Sequence, residues 1–257
     1  MSTILDIHDL SASYDQQEIL KHVSIHLEQG QVLGIVGESG SGKTTLLNCI
    51  LQLDKYLCIN GGQLRYKDIN LLQLSTKERR QLYRKDIATI FQSSNEMLVP
   101  TRRIQDQFYE TTKGLFTKKE TKEKAISLFE QFALENPERI LHSYPFELSL
   151  GMAQRVAIAL ALIHQPKLLL CDEPTSALDV KNANEVMELL RMYKEKEKMS
   201  MLLITHHLGL AGKLCDDIAV MYRGEIVEYN SAETIFSTPH HPYTKQLLHA
   251  LPKVEQV

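Results

Sequence analysis

Residues 31–53 read Gln31-Val-Leu-Gly-Ile-Val36-Gly37-Glu-Ser-Gly-Ser-Gly42-Lys43-Thr44-Thr45-Leu-Leu-Asn-Cys-Ile-Leu-Gln-Leu53. A continuous apolar run stops at a glycine-rich loop, and the stretch after it has the length and composition of a buried helix. Gly37 to Thr44 satisfies G-x-x-x-x-G-K-[ST] in the context that gives the pattern physical meaning, behind a strand and opening a helix. The glycines let the backbone wrap phosphate oxygens with its N–H groups, and the helix N-terminus adds a favourable field. The candidate cradle is therefore Gly37, Glu38, Ser39, Gly40, Ser41, Gly42, Lys43, Thr44 and Thr45. Lys43 is expected to reach the β- and γ-phosphates of ATP, and Thr44 to ligate Mg²⁺.

A second motif supplies what the cradle lacks. Leu168-Leu-Leu-Cys-Asp172-Glu173 is an apolar strand ending in two carboxylates. Alone, such a pair at a strand end is an ordinary solvated turn. Behind a phosphate loop it provides Asp172 to hold the Mg²⁺ shell and Glu173 to polarise the attacking water.

Outward from these motifs, Ile4–Leu10 and Val23–Leu27 are patterned strands with turn residues between them, which suggests an antiparallel layer. From about Gln73 to Leu141 the chain turns polar and helical, with charge-dense stretches at residues 76–85 and 117–132 that read as solvated helix faces. Residues 167–173, 200–207 and 216–221 are short apolar strands alternating with helical stretches, the pattern of buried parallel strands, and residues 224–230 read as one more exposed strand. The expected division is a core with its β subdomain at 1–72 and 165–238, a helical subdomain at 73–164, and a C-terminal extension at 239–257.

Composition narrows the function classes. The 257 residues carry 29 Lys and Arg against 32 Asp and Glu, a formal charge of -3, which leaves no overall basic field and argues against general nucleic-acid binding. The first residues lack the basic and apolar stretches of a signal peptide, so a cytosolic location is expected. The apolar run Val156–Ile163 falls well short of the roughly 20 residues needed to span a bilayer as a helix, so any membrane role must go through a partner. Cys49, Cys58, Cys171 and Cys215 form no CxxC pair and lie in or beside apolar segments, which reads as four reduced, buried structural thiols.

Glu147-Leu-Ser149-Leu150-Gly151-Met-Ala-Gln-Arg155 resembles the signature motif of ATP-binding-cassette proteins, and the resemblance extends over the whole chain. In that family an α/β P-loop nucleotide-binding domain carries an antiparallel β subdomain and an inserted helical subdomain. The resemblance implies that Tyr14 stacks on adenine and that Gln92 approaches Mg²⁺ and the water. It implies further that Ser176 to Asp179 form the D-loop and that His206 contacts the γ-phosphate. Ser149 and Gly151 would face the nucleotide bound on another subunit. The catalytic set is then Lys43, Gln92, Glu173 and His206, and the metal set Thr44, Gln92 and Asp172.

Two positions depart from the family pattern: Leu150 stands for a glycine, and His207 for the aspartate after the switch histidine. A branched side chain where backbone must lie close to nucleotide is expected to weaken the site that uses this signature.

Residues 144–155 and Pro239-His-His-Pro-Tyr243-Thr-Lys-Gln-Leu-Leu248 resemble the oligopeptide, dipeptide and nickel branch of importer ATPases. In this resemblance the C-terminal stretch is a surface turn and helix, without the cysteine-bearing extension of longer members. The branch implies an ATPase on the cytoplasmic face of the membrane, paired with a second and different ATPase. It also implies two permease subunits above the pair and a substrate-binding protein outside. The coupling helix of a permease is expected to dock near Gln92–Pro100. The same motifs also resemble the cassette ATPase associated with carbon–phosphorus lyase, a soluble alternative that residues 98–107 and 144–149 disfavour.

Overall fold

The computed structural model describes residues 2–92, 97–175 and 180–251. In chain order, β1 (Thr3–Tyr14) and β2 (Gln17–Glu28) precede β3 (Val32–Val36) and α1 (Lys43–Leu51). Next come β4 (Leu57–Tyr66), β5 (Ile69–Asn70), α2 (Thr76–Lys85) and β6 (Ile87–Ile90). A helical run follows, with α3 (Ile104–Thr112), α4 (Lys118–Gln131), α5 (Pro137–His142) and α6 (Leu150–Leu162). The chain then alternates through β7 (Leu168–Asp172), α7 (Val180–Glu197), β8 (Ser200–Thr205), α8 (Leu208–Leu214) and β9 (Asp217–Tyr222). It closes with β10 (Glu225–Ser231), α9 (Ala232–Ser237) and α10 (Pro242–His249).

Among the described residues the strands form two sheets, an antiparallel one in the order β2-β1-β4-β5 and a mainly parallel one in the order β10-β9-β3-β8-β7-β6. The opening strands are longer than the sequence suggests, twelve residues each. Irregularities in the β1–β2 register, with Asp9 and His22 both at positive φ, interrupt the alternation that marks a strand in sequence.

The parallel strands are buried on both faces, and successive residues go to different cores. Leu168, Leu170, Leu202 and Ile204 pack with α1 and the antiparallel sheet. Leu169, Cys171, Met201 and Leu203 pack with α6, α7 and α8. That two-residue alternation with no polar face is why these segments appear in sequence as unbroken apolar runs.

Residues 73–164 are not wholly helical. β6 lies inside this stretch and pairs in parallel with β7, Ile87 opposite Leu168 and Ile90 opposite Cys171. Four residues with little alternation between charged helices gave no separate signal. The charged helices start on sequence-local caps. Ser75 with Glu78 and Thr117 with Glu120 each form a reciprocal capping box at the starts of α2 and α4. Phe108 and Phe129 meet edge to face between α3 and α4, with ring centroids 5.5 Å apart, and anchor this layer to the core.

One cysteine departs from expectation. Cys49, Cys171 and Cys215 are buried, whereas Cys58 is exposed. It sits in β4, opposite Ser13 of β1, in a part of the strand whose alternate residues face solvent.

Candidate nucleotide site

The parallel register brings the chemistry to one edge. β3 pairs with β8, Val36 opposite Thr205, and β7 pairs with β8, Asp172 opposite Ile204. The loop after Val36, the carboxylates at and after Asp172, and His206 after Thr205 therefore all emerge at the C-terminal ends of neighbouring strands, where open α/β sheets bind ligands.

Residues 37–42 cross from β3 to α1 in a tight loop. Gly42 is the N-cap of α1 with φ 110°, and no side chain caps the helix, so the first-turn N–H groups from Lys43 onward keep their capacity for an external acceptor. Gly37 is required by packing: a Cβ there would lie 2.2 Å from the Met221 carbonyl oxygen. Lys43 is buried and its Nζ donates to the carbonyls of Gly37 and Glu38, both at 2.8 Å. Burial pushes the Lys43 ammonium below its usual range, against the opposing pull of Glu173, Asp172 and Glu38. A polyanion beside it would favour the charged form further.

Thr44 Oγ1 donates to Asp172 Oδ2 at 3.4 Å, linking the first turn of α1 to the end of β7. Burial raises the Asp172 carboxyl and Glu173 adds to the effect, while Thr44 and Lys43 oppose it. A hydroxyl and a carboxylate side by side next to the cradle form a hard oxygen donor set suited to Mg²⁺.

Glu173 has φ 47°, in the left-handed region that non-glycine residues rarely occupy. Its N–H donates to the Ile204 carbonyl at 2.9 Å, and its Oε1 lies 2.9 Å from His206 Nδ1. The backbone turn holds the carboxylate against the neighbouring strand end, in the manner of strained residues at functional sites. His207 follows as the N-cap of α8, its ring 5.3 Å from that of His206.

Ser39, Gly40 and Thr44 are exposed, Thr45 is half-buried and Ser41 is buried. Gln92 lies two residues beyond β6, exposed at the same sheet edge. Tyr14 ends β1, and its hydroxyl donates to Asp54 Oδ2 at 2.7 Å, past the far end of α1. Ser149 is the N-cap of α6 and its Oγ accepts from Met152 N at 3.3 Å. Among the described residues no hydrogen bond joins Ser149 or Gly151 to the Lys43 loop. A Cβ added at Gly151 would meet nothing within 4 Å, so no packing within this chain demands glycine there. Leu150 is about half exposed at the first turn of α6. Asp179 and the expected D-loop from Ser176 lie outside the described residues.

The ABC transporter family profile matches residues 20–176, which spans the cradle, the signature segment and the acidic pair. This chain belongs to the ABC transporter family. Its C-terminal stretch matches the oligopeptide/dipeptide transporter C-terminal region over residues 227–257. It is 41% identical over 257 residues to the dipeptide transport ATP-binding protein DppD of Haemophilus influenzae, covering 97% of this chain and 78% of that protein. It is 37% identical over 266 residues to the oligopeptide transport ATP-binding protein OppD of Bacillus subtilis, covering 99% of this chain and 74% of that protein. Among solved structures it resembles the dimeric ATP-binding cassette MJ0796 in a post-hydrolysis state bound to ADP and Pi, with TM-score 0.76 and 28% identity over 89% of this chain and 98% of that chain. The family establishes the expected fold and an ATPase. Among the described residues no helix of this ABC transporter subunit is long and apolar enough to cross a membrane.

The C-terminal stretch is a turn and a surface helix, as expected, with one inward contact that the sequence reading did not include. Tyr243 and Thr244 are buried, and the Tyr243 hydroxyl accepts from the Glu38 N–H at 3.0 Å. The Gly224 N–H also donates to the Ser41 carbonyl at 2.9 Å, so the β9–β10 turn supports the same loop. Neither contact was legible in sequence, since both join segments more than 180 residues apart. The only signal was the Pro242-Tyr243 pair following two histidines.

Proposed function

We propose that this chain is the ATP-hydrolysing subunit of a peptide importer, with its hydrolytic centre built from Lys43, Thr44, Asp172, Glu173 and His206. The observation that carries this is the convergence of the Lys43 loop, the Thr44–Asp172 contact and the Glu173–His206 pair on one sheet edge. The relatives named for dipeptide and oligopeptide transport and the C-terminal family match support peptides as the cargo class. Nickel or metal–metallophore cargo, also implied by the branch, has no such support here.

In this reading the N–H groups of residues 39–45 and Lys43 hold the phosphate chain, with Lys43 turning from the Gly37 and Glu38 carbonyls to the β- and γ-oxygens. Thr44 and Asp172 hold Mg²⁺, which neutralises charge on the transferred group when bound. Gln92, at the same edge, completes the metal and water environment. Glu173 accepts the proton of the attacking water, and His206 orients Glu173 and meets the γ-phosphate. Tyr14 stacks on adenine. Its hydroxyl bond to Asp54 tethers the ring near the C-terminal end of α1.

Ser149, Gly151 and the Asp179 loop act across a dimer interface, each signature closing on the ATP of the partner. The open space around Gly151 supports this, because the glycine answers to a ligand from outside the chain. The partner is a second, different ATPase. The pair sits peripherally on the cytoplasmic face beneath two permeases, with an extracytoplasmic binding protein delivering cargo. Purification of the chain with its partners from detergent-solubilised membranes tests the assembly: two polytopic proteins should accompany it, and their absence would favour a soluble role.

A further inference from the structure

The backbone of Glu38 is held at both its carbonyl and its N–H. Its carbonyl accepts from Lys43 Nζ at 2.8 Å, and its N–H donates to the hydroxyl of Tyr243 at 3.0 Å, although the two residues stand 205 positions apart. Tyr243 is only 6% exposed, and its ring packs on Tyr222 with centroids 4.2 Å apart. Tyr222 ends β9, immediately after Met221, whose carbonyl closes on Gly37.

The segment carrying Tyr243 is itself pinned. Glu228 of β10 accepts the N–H groups of His240 and His241 on its two oxygens, at 2.8 and 3.0 Å. His241 is then the N-cap of α10, its Nδ1 accepting from Tyr243 N at 3.2 Å. Charge-assisted bonds to two successive backbone amides fix the entry of α10 more firmly than a neutral contact would. The tyrosine is therefore delivered to the loop by a rigid path from the β9–β10 hairpin.

We propose that Tyr243 is a positioning residue for the phosphate loop: acting through the Glu38 amide, the C-terminal segment holds residues 37–39 in the nucleotide-accepting shape. Glu38 begins a loop that must bend sharply between β3 and α1. A buried hydroxyl that satisfies its N–H confines the bend and leaves the N–H groups after it aligned for an external anion. Preorganisation of this kind lowers the ordering cost of binding without touching the ligand. The C-terminal segment, beyond the family profile that covers the cradle, thereby becomes part of the nucleotide site.

The proposal rests on the assignment of the Lys43 loop as the nucleotide cradle, and the test separates the two. Nucleotide binding to the full chain is measured by calorimetry with Mg-ATP for wild type, Tyr243→Phe and Lys43→Ala, beside thermal unfolding and hydrogen exchange resolved at the Glu38 amide. Tyr243→Phe keeps the ring on Tyr222 and removes only the acceptor. Losing one such bond should raise the Kd for Mg-ATP by about two- to tenfold. Exchange at Glu38 should accelerate with little change in the melting temperature. Unchanged or tighter binding in Tyr243→Phe overturns the proposal, as does unaltered exchange at Glu38. A general fall in melting temperature with uniform loss of protection also overturns it, since the tyrosine would then be only structural. If Lys43→Ala binds Mg-ATP like wild type, the cradle assignment itself fails, whatever Tyr243→Phe shows.

Discussion

Glu173 Oε1 and His206 Nδ1 stand 2.9 Å apart across the ends of two adjacent parallel strands, with Glu173 in a left-handed backbone conformation that turns it toward its neighbour. The pair places an acceptor and a ring that orients it at the sheet edge occupied by the cradle. Replacing Glu173 by Gln keeps the size and one oxygen while removing the base. Glu173→Gln should therefore retain Mg-ATP binding and lose turnover, accumulating a nucleotide-bound closed dimer. Phosphate release from the reconstituted complex and gel filtration with ATP check this; hydrolysis at the wild-type rate would remove Glu173 from the role of base.

Lys43 acts earlier, on binding. Its ammonium is buried against the Gly37 and Glu38 carbonyls and held below its usual range by desolvation, so its transfer to a phosphate oxygen is a charge-assisted contact. Such contacts contribute roughly 1.5–3 kcal/mol, so Lys43→Ala should weaken Mg-ATP by about tenfold or more. Calorimetry on the purified chain provides the measurement, and unaltered affinity would count against the cradle.

Leu150 stands where the family pattern has glycine, about half exposed on the first turn of α6 beside Gly151, around which the chain leaves open space. In the proposed dimer a nucleotide on the partner approaches this backbone, and a branched side chain there would obstruct it. The isolated chain should be a poor ATPase, because a homodimer carries Leu150 at both sites, and Leu150→Gly should raise its rate. In the full complex Glu173→Gln in this chain should cost more activity than the same change in the partner ATPase. Fast hydrolysis by the isolated chain, or slowing by Leu150→Gly, would show that leucine suits a working signature.

The thiols report on the fold. Burial raises the Cys49 thiol to about 12 and drives Cys171 and Cys215 upward as well, with nearby acidic side chains adding to the last two, whereas Cys58 is exposed on β4. Thiolate forms only as pH rises toward each thiol's value, so the three buried groups remain protonated and shielded through pH 9. A thiol reagent such as dithionitrobenzoate should label Cys58 alone in the native chain and all the cysteines in guanidinium. Rapid native labelling of Cys171 would contradict the burial of β7.

Much of the site was legible because its parts are local in the chain. The cradle is one run from Gly37 to Thr45, and the acidic pair closes one apolar strand, so covalent spacing alone places each group on its element. β7 and β8 were legible because both their faces are buried and their residues are apolar except at the ends, where Ser200 opens β8 and Asp172 and Thr205 close β7 and β8. β6 was not legible: four residues between charged helices become a strand only because β7 offers an unpaired edge. Exposure of Cys58 likewise depends on which side of β4 turns to solvent.

What the sequence by itself determined is the inventory: a phosphate loop with its lysine and threonine, two carboxylates at a strand end, a signature with leucine in place of glycine, and a family. What only the tertiary structure decided is the pairing of distant groups. His206 meets Glu173 because β7 and β8 align Asp172 with Ile204. Tyr243 meets the Glu38 amide because Glu228 anchors α10 beside β9. The physical reason is that hydrogen bonds act over about 3 Å and carry no record in residue type of how far apart in the chain their partners lie. Strand register and packing alone bring such partners within reach.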